Sequence, residues 1–196
     1  IPRVRPADPA PKPPKRAAHI GAFLDVDNYQ QTADFYRAWH LGTANSIIYF
    51  AKLLKEHDAD KLVGAFYGSW GGSELIWASN AGGVMKLLES PYLDFMSNPG
   101  VYENRQPGGF TGQRQMPDSF RLHNKMYIIE EDTRTHAENA YFKDLIELFT
   151  IEDTLNVLKR NFGRNICEDI QAWWFDQHAG GKRFKGPEIY ALLKRQ

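Results

Sequence analysis

The sequence predicts an α/β fold made of strand-helix units with parallel strands. Three observations predict it. Short, continuously apolar runs alternate with stretches of helical periodicity. The apolar runs lack the in-out alternation of a sheet with one wet face, so they read as strands covered on both sides. The segments between them are long enough to hold crossover helices, which parallel pairing requires.

The elements follow in order. Residues 1–18 are rich in proline and basic side chains, with Arg3, Arg5, Lys12, Lys15 and Arg16 on no common helix face, and read as an extended linker or loop. Asp25 and Asp27 stand where a helix cap is expected. From about Asn28 to His57, apolar residues recur at Phe35, Trp39, Ala44, Ile47, Ile48, Ala51 and Leu54, a spacing close to 3.6. The first strand is Leu62 to Gly68, ending in a glycine loop. Glu74 to about Glu89 is helical in part, interrupted at Gly82-Gly83. Tyr92 to Ser97 is the second strand, and a long Gly/Pro/polar loop runs from Asn98 to about Leu122. Lys125 to Glu130 is the third strand. Helical pattern returns from about Glu138 to Arg164, as two helices meeting near Thr150. Ile170 to Asp176 is the fourth strand, and Pro187 to Lys194 is a closing helix with proline in its first turn.

Two architectures accommodate this alternation: an open doubly wound sheet and part of a closed barrel. No glycine-rich phosphate fingerprint leads from a strand into a helix, which weighs against a nucleotide-binding version of the open sheet. A whole (β/α)8 TIM barrel takes eight strands and about 250 residues. Four βα units fit here, about half a barrel, and residues 19–196 read as that half.

Composition removes several functions. The 196 residues are 42% hydrophobic with zero formal net charge, enough for a real core and without the basic excess that nucleic acid or an anionic membrane would attract. No apolar run approaches the ~20 residues of a membrane span. The lone cysteine, Cys167, has no internal partner and no Cys/His cluster around it, and reads as a small, half-buried side chain near a strand start. No metal or organic cofactor is expected. The chain opens on Ile1 without a methionine, so upstream sequence is expected, and localisation is not legible.

In parallel α/β folds the reacting groups sit at the C-terminal ends of strands and in the loops that follow. Those ends hold Tyr67 and Trp70; Ser97, Asn98 and Tyr102; Glu130, Glu131 and Asp132; Trp173, Trp174, Asp176 and Gln177. Aromatics, amides and carboxylates together suit a sugar: rings pack on the apolar faces of a pyranose, and polar groups take its hydroxyls. Tyr67, Trp70, Asn98, Tyr102, Trp173, Trp174 and Asp176 are therefore candidate substrate contacts. Three consecutive acids repel one another, so one of them is a candidate for a raised pKa. Strand alternation places Glu130 on one face and Glu131 on the other. The bland alternative is a solvated acidic turn paired with Arg134. Trp173-Trp174 divides in the same way, one ring for the core and one for the site. His123 and His136 read as loop hydrogen-bonders rather than metal ligands. Arg105 and Gly108-Gly109 lie in the long loop, whose length marks it as functional or disordered.

These residues resemble a known group. The helix Ser46-Ile47-Ile48-Tyr49-Phe50-Ala51-Lys52, the strand Val63 to Gly68 and the run Leu87-Leu88-Glu89-Ser90-Pro91-Tyr92-Leu93-Asp94-Phe95 look like the later barrel strands of clan A glycoside hydrolases, nearest to the family 42 β-galactosidases. Ser119-Phe120-Arg121-Leu122-His123-Asn124-Lys125 running into Ile129 to Thr135, and Trp173-Trp174-Phe175-Asp176, carry the resemblance onward, so it covers most of the chain from about His19. It implies a carbohydrate-degrading hydrolase acting by double displacement, with Glu130 as nucleophile and Trp173 or Trp174 beside the reacting sugar. Glu131, Asp132 and Arg134 would support Glu130. The family's acid/base glutamate follows an asparagine at the end of an earlier strand. No such Asn-Glu pair precedes Leu62, since Asn28 and Asn45 lack a following glutamate and Glu103-Asn104 has the reverse order. The acid/base is thus expected upstream, and the expected partners are a carbohydrate substrate and either the N-terminal half of the barrel or a second copy. The rival reading from another class is a carbohydrate-binding or assembly module that has lost the chemistry.

Overall fold

A computed structural model describes residues 26–68, 82–138, 148–176 and 183–195. The elements are α1 (Val26–His57), β1 (Gly64–Phe66), α2 (Val84–Leu88), β2 (Phe95–Pro99), α3 (Pro117–Leu122), β3 (Met126–Glu131), a 3-10 turn (His136–Glu138), α4 (Ile151–Cys167), β4 (Gln171–Trp174) and α5 (Pro187–Leu193). The fold is α/β with a four-stranded, all-parallel sheet in the order β1-β2-β3-β4. Sequential neighbours joined by crossovers are what the strand-helix rhythm requires. The linker at residues 1–18 lies outside the described residues.

The chain divides into two compact units, Ile1–Met96 with Leu122–Lys125, and Ser97–Arg121 with Met126–Gln196. In the first, α1 buries Thr32, Tyr36, His40, Ala44 and Ala51. A helix buries a stripe about 100° wide, and here the stripe runs through the two alanines. Trp39 and Leu54, expected on the apolar face, are exposed. The small residues admit a close neighbour: a side chain at Gly83 would meet the Ala44 methyl at 2.8 Å and the His40 carbonyl at 2.9 Å. Gly64 is required for a similar reason, since a methyl there would sit 2.2 Å from the Phe95 ring. Asp94 ties this unit together. Its carboxylate accepts from the Val63 amide at 2.7 Å and pairs with Lys55 at 2.8 Å. Burial pushes the Asp94 carboxyl up, but the Lys55 and Val63 hydrogen bonds and the charges of Lys55 and Lys125 outweigh it and hold it below the usual range.

In the second unit, β3 and β4 pair in parallel, with Ile128 opposite Gln171, Ile129 opposite Ala172, Glu130 opposite Trp173 and Glu131 opposite Trp174. Tyr127, Ile129 and Glu131 are buried on the side facing α4. Leu158, Phe184 and Ile189 form a core beneath α4 and α5, with Trp174 packed against it. Helix α4 begins at a capping box: Thr150 Oγ1 accepts from the Asp153 amide at 3.0 Å, and the Asp153 carboxylate accepts from the Thr150 amide at 3.1 Å. This cap lies where two helices were expected to meet near Thr150; residues 139–147, the greater part of the first, lie outside the described residues. The short helix α3 stands inside a stretch read from sequence as loop, started by Pro117. Cys167, expected half-buried near a strand start, is the exposed last residue of α4. No helix among the described residues is long and apolar enough to cross a membrane.

Candidate functional site

The three acids at the mouth of β3 have three different surroundings. Glu131 points at α4. Its Oε1 accepts from Asn165 Nδ2 and Arg164 Nη2, each at 2.9 Å, and its Oε2 accepts from Asn161 Nδ2 at 2.9 Å. Both amides are oriented by the arginines beside them, for Arg160 donates to Asn161 Oδ1 and Arg164 to Asn165 Oδ1. The segment Arg160-Asn161 repeats four residues later as Arg164-Asn165, so one helix face presents both pairs to one carboxylate. Glu131 is thus a fully satisfied buried anion joining β3 to α4.

Asp132 has a different partner. Its Oδ1 lies 2.8 Å from Arg105 Nη1, an ion pair that is off-line as a hydrogen bond. Its backbone carbonyl accepts from Arg183 Nη1 at 2.9 Å. Arg183 also donates to the Phe175 carbonyl at 3.2 Å, and the Arg183 amide to Asp176 Oδ1 at 3.3 Å. Arg183 so ties Phe175 and Asp176 to Asp132.

Glu130 lies on the opposite face of β3 from Glu131, and its carboxylate makes no ion pair among the described residues. It is only 8% exposed. Burial raises its pKa first, and the Asp132 charge raises it further, while Arg183 and Arg105 pull it down; the net direction is up. Its register partner on β4 is Trp173, whose ring is 40% exposed and whose Nε1 donates to Ser97 Oγ at 3.4 Å. The Phe175 ring lies 5.0 Å from that of Trp173. Glu130, Ser97, Trp173 and Phe175 thus combine an acid, a hydroxyl and a partly exposed aromatic surface at the end of the strands.

The other candidate residues are placed as follows. Trp174 meets Phe184 edge-on at 5.9 Å on the α4/α5 side, so of the two tryptophans Trp173 is the one on the face of Glu130. Asn98 is fully buried and accepts from the Tyr127 hydroxyl at 2.7 Å, also on the helix side. Tyr102 is exposed, with the Arg105 and Arg114 guanidiniums 4.5 and 4.7 Å from its ring centre. In the first unit Tyr67 is buried and its hydroxyl accepts from the Gly83 amide at 3.1 Å. Arg134 is half-buried and engaged. Trp70 and Gln177 lie outside the described residues. His136 bonds Thr154 through its amide and its ring. Among the described residues no cluster of three His, Cys, Asp or Glu side chains could hold a metal.

Sequence reasoning missed Arg160, Arg164 and Arg183. The Arg-Asn repeat on α4 was a legible signal, since its four-residue spacing marks one helix face. Arg183 carried no such signal, because its partners are the backbone carbonyls of Asp132 and Phe175, which no sequence pattern marks.

Comparison with known proteins finds no family model, no curated protein and no solved structure that matches this chain.

Proposed function

We propose that this chain is the nucleophile-bearing half of a (β/α)8-barrel retaining glycoside hydrolase of the β-galactosidase-like kind, with Glu130 as the nucleophile. One observation supports the reading most directly. Of the three acids at the mouth of β3, Glu131 and Asp132 are each bound to an arginine, whereas Glu130 is unpaired among the described residues and shares a face with Trp173. The all-parallel strand order is compatible with half a barrel, and such folds react at strand C-termini.

In this reading a Glu130 oxygen attacks the anomeric carbon as the bond to the departing oxygen breaks, giving a glycosyl ester. Water then attacks the same carbon and releases the carboxylate, so configuration is retained. The nucleophile must be ionised, which Arg183 and Arg105 favour against burial and Asp132. In this reading the proton for the leaving group comes from the acid/base glutamate that the resemblance places on an earlier barrel strand.

A 2,4-dinitrophenyl β-galactoside tests this, since its leaving group departs without a proton. We expect slow release by the protein, loss of release in Glu130→Gly, and recovery with azide to give the α-galactosyl azide. Glu130→Gly releasing dinitrophenol as fast as the unaltered protein would refute the assignment. Sugar binding on a glycan array without any release would favour the non-catalytic carbohydrate-binding reading instead.

A further inference from the structure

We propose that Arg105 is a positioning residue of this site, holding Asp132 and the Tyr102 ring at the C-terminal mouth of β3 from a loop that α4 fixes in place. The inference rests on Glu130 being the reacting carboxylate.

All three guanidinium nitrogens of Arg105 are committed. Nε donates to the Val101 carbonyl at 2.8 Å and Nη2 to the Gly100 carbonyl at 3.0 Å. Those two bonds fix the plane of the fork. The remaining nitrogen, Nη1, is then delivered to Asp132 Oδ1 at 2.8 Å. A lysine carries the charge but cannot hold two carbonyls and a carboxylate in one plane. The same guanidinium lies 4.5 Å from the Tyr102 ring centre, so Arg105 touches both Asp132 and Tyr102. Tyr102 is therefore part of the Asp132 assembly.

The loop that carries Arg105 is itself held. Arg160 Nη1 donates to the carbonyls of Gln106 at 2.8 Å and Gly109 at 2.7 Å. Its Nη2 reaches the Arg105 carbonyl at 3.3 Å and Thr111 Oγ1 at 3.2 Å. Arg164 donates to the Thr111 carbonyl as well as to Glu131. Gly108 at φ +78° makes the turn these bonds require. So the helix that neutralises Glu131 also sets the position of Arg105, and through it that of Asp132, two residues from Glu130.

The charged groups acting on Glu130 are Asp132, Arg183 and Arg105; β4 and β2 contribute the neutral Trp173 and Ser97. Without the fork, Asp132 would be free to swing and its charge less compensated. The test is the titration of the Glu130 carboxyl, followed by NMR of protein carrying 13C-labelled glutamate, with Glu130→Gln to assign the signal. Arg105→Gln should raise the midpoint by about one pH unit. Arg105→Lys should raise it by more than half as much, although the charge is kept. In an Asp132→Asn background the Arg105→Lys shift should vanish. If Arg105→Gln does not fold, the two lysine variants decide alone. An Arg105→Lys midpoint equal to that of the unaltered protein would reduce Arg105 to a point charge and overturn the proposal. So would a lysine shift that persists with Asp132→Asn. The titration requires no turnover, so this inference and the glycosidase reading fail independently.

Discussion

Glu131 and Arg164 form an ion pair at 2.9 Å with side chains only 4% and 7% exposed. Such a pair is not itself strong evidence of stability, because both charges were taken out of water to make it. Its removal is another matter. Glu131→Ala leaves the Arg164 charge without its carboxylate and takes an acceptor from each of Asn161 and Asn165, of which Asn161 keeps Thr133 Oγ1. The expected loss is about 3–5 kcal/mol, read from urea unfolding. Glu131→Gln should lose less, because its amide oxygen keeps one acceptor. An unchanged urea midpoint in Glu131→Ala would mean that β3 and α4 are not held together through this carboxylate.

The two tryptophans should separate stability from binding. Trp174 packs with Phe184 against Leu158 and Ile189, so Trp174→Ala should cost about 3 kcal/mol, the low end for a core aromatic. Trp173→Ala removes a partly exposed ring and should cost no more than about 0.5 kcal/mol. Its effect should instead appear as weakened binding of galactosides, measured by titration calorimetry. Equal destabilisation by both changes would place both rings in the core.

Glu130→Gln should stabilise the protein, in a pH-dependent way. The folded state raises the Glu130 pKa above its unfolded value, so the folded protein holds that proton more tightly. Stability from this group is full below the unfolded pKa and is lost as pH rises through the folded pKa. The amide has no charge to desolvate. Its advantage over glutamate should therefore be small below the ordinary glutamate range and grow towards neutral pH. Urea unfolding at pH 4 and pH 7 checks this; an advantage that shrinks with rising pH would contradict it. A stabilising change at a reacting carboxylate is the familiar opposition of stability and activity.

Much of the fold is legible because burial writes itself as period. Apolar runs marked β1 to β4, and their all-parallel order followed from the crossover lengths; the expectation that every strand is covered on both sides fails at β1 and β4, where Phe66 and Gln171, Ala172 and Trp173 are exposed. Period 2 also separated Glu130 from Glu131 and Trp173 from Trp174, since register pairs like-numbered faces across the parallel strands. Which face meets the helices was not in the period, and Asn161, Arg164 and Asn165 decide it. Helix α3 was missed because six residues hold too few turns to show periodicity. The face of α1 was misjudged at Trp39 and Leu54 because side-chain size, through Ala44 and Ala51, outweighed hydrophobicity in choosing what packs closely. Arg105 was visible only as a basic residue in a long loop, because the carbonyls of Gly100 and Val101 that give it direction belong to an irregular stretch with no periodicity to read.

The most direct test of the central claim is covalent capture. 2,4-Dinitrophenyl 2-deoxy-2-fluoro-β-galactoside has a leaving group that needs no acid, and the fluorine slows hydrolysis of the glycosyl ester once it forms. If Glu130 is the nucleophile, dinitrophenol is released and the protein gains the stable mass of one fluorogalactosyl group. Peptide mapping should then place that group on Glu130, with no label in Glu130→Gln. A label on Glu131 or Asp132, or one that persists in Glu130→Gln, would rule out Glu130 as the nucleophile.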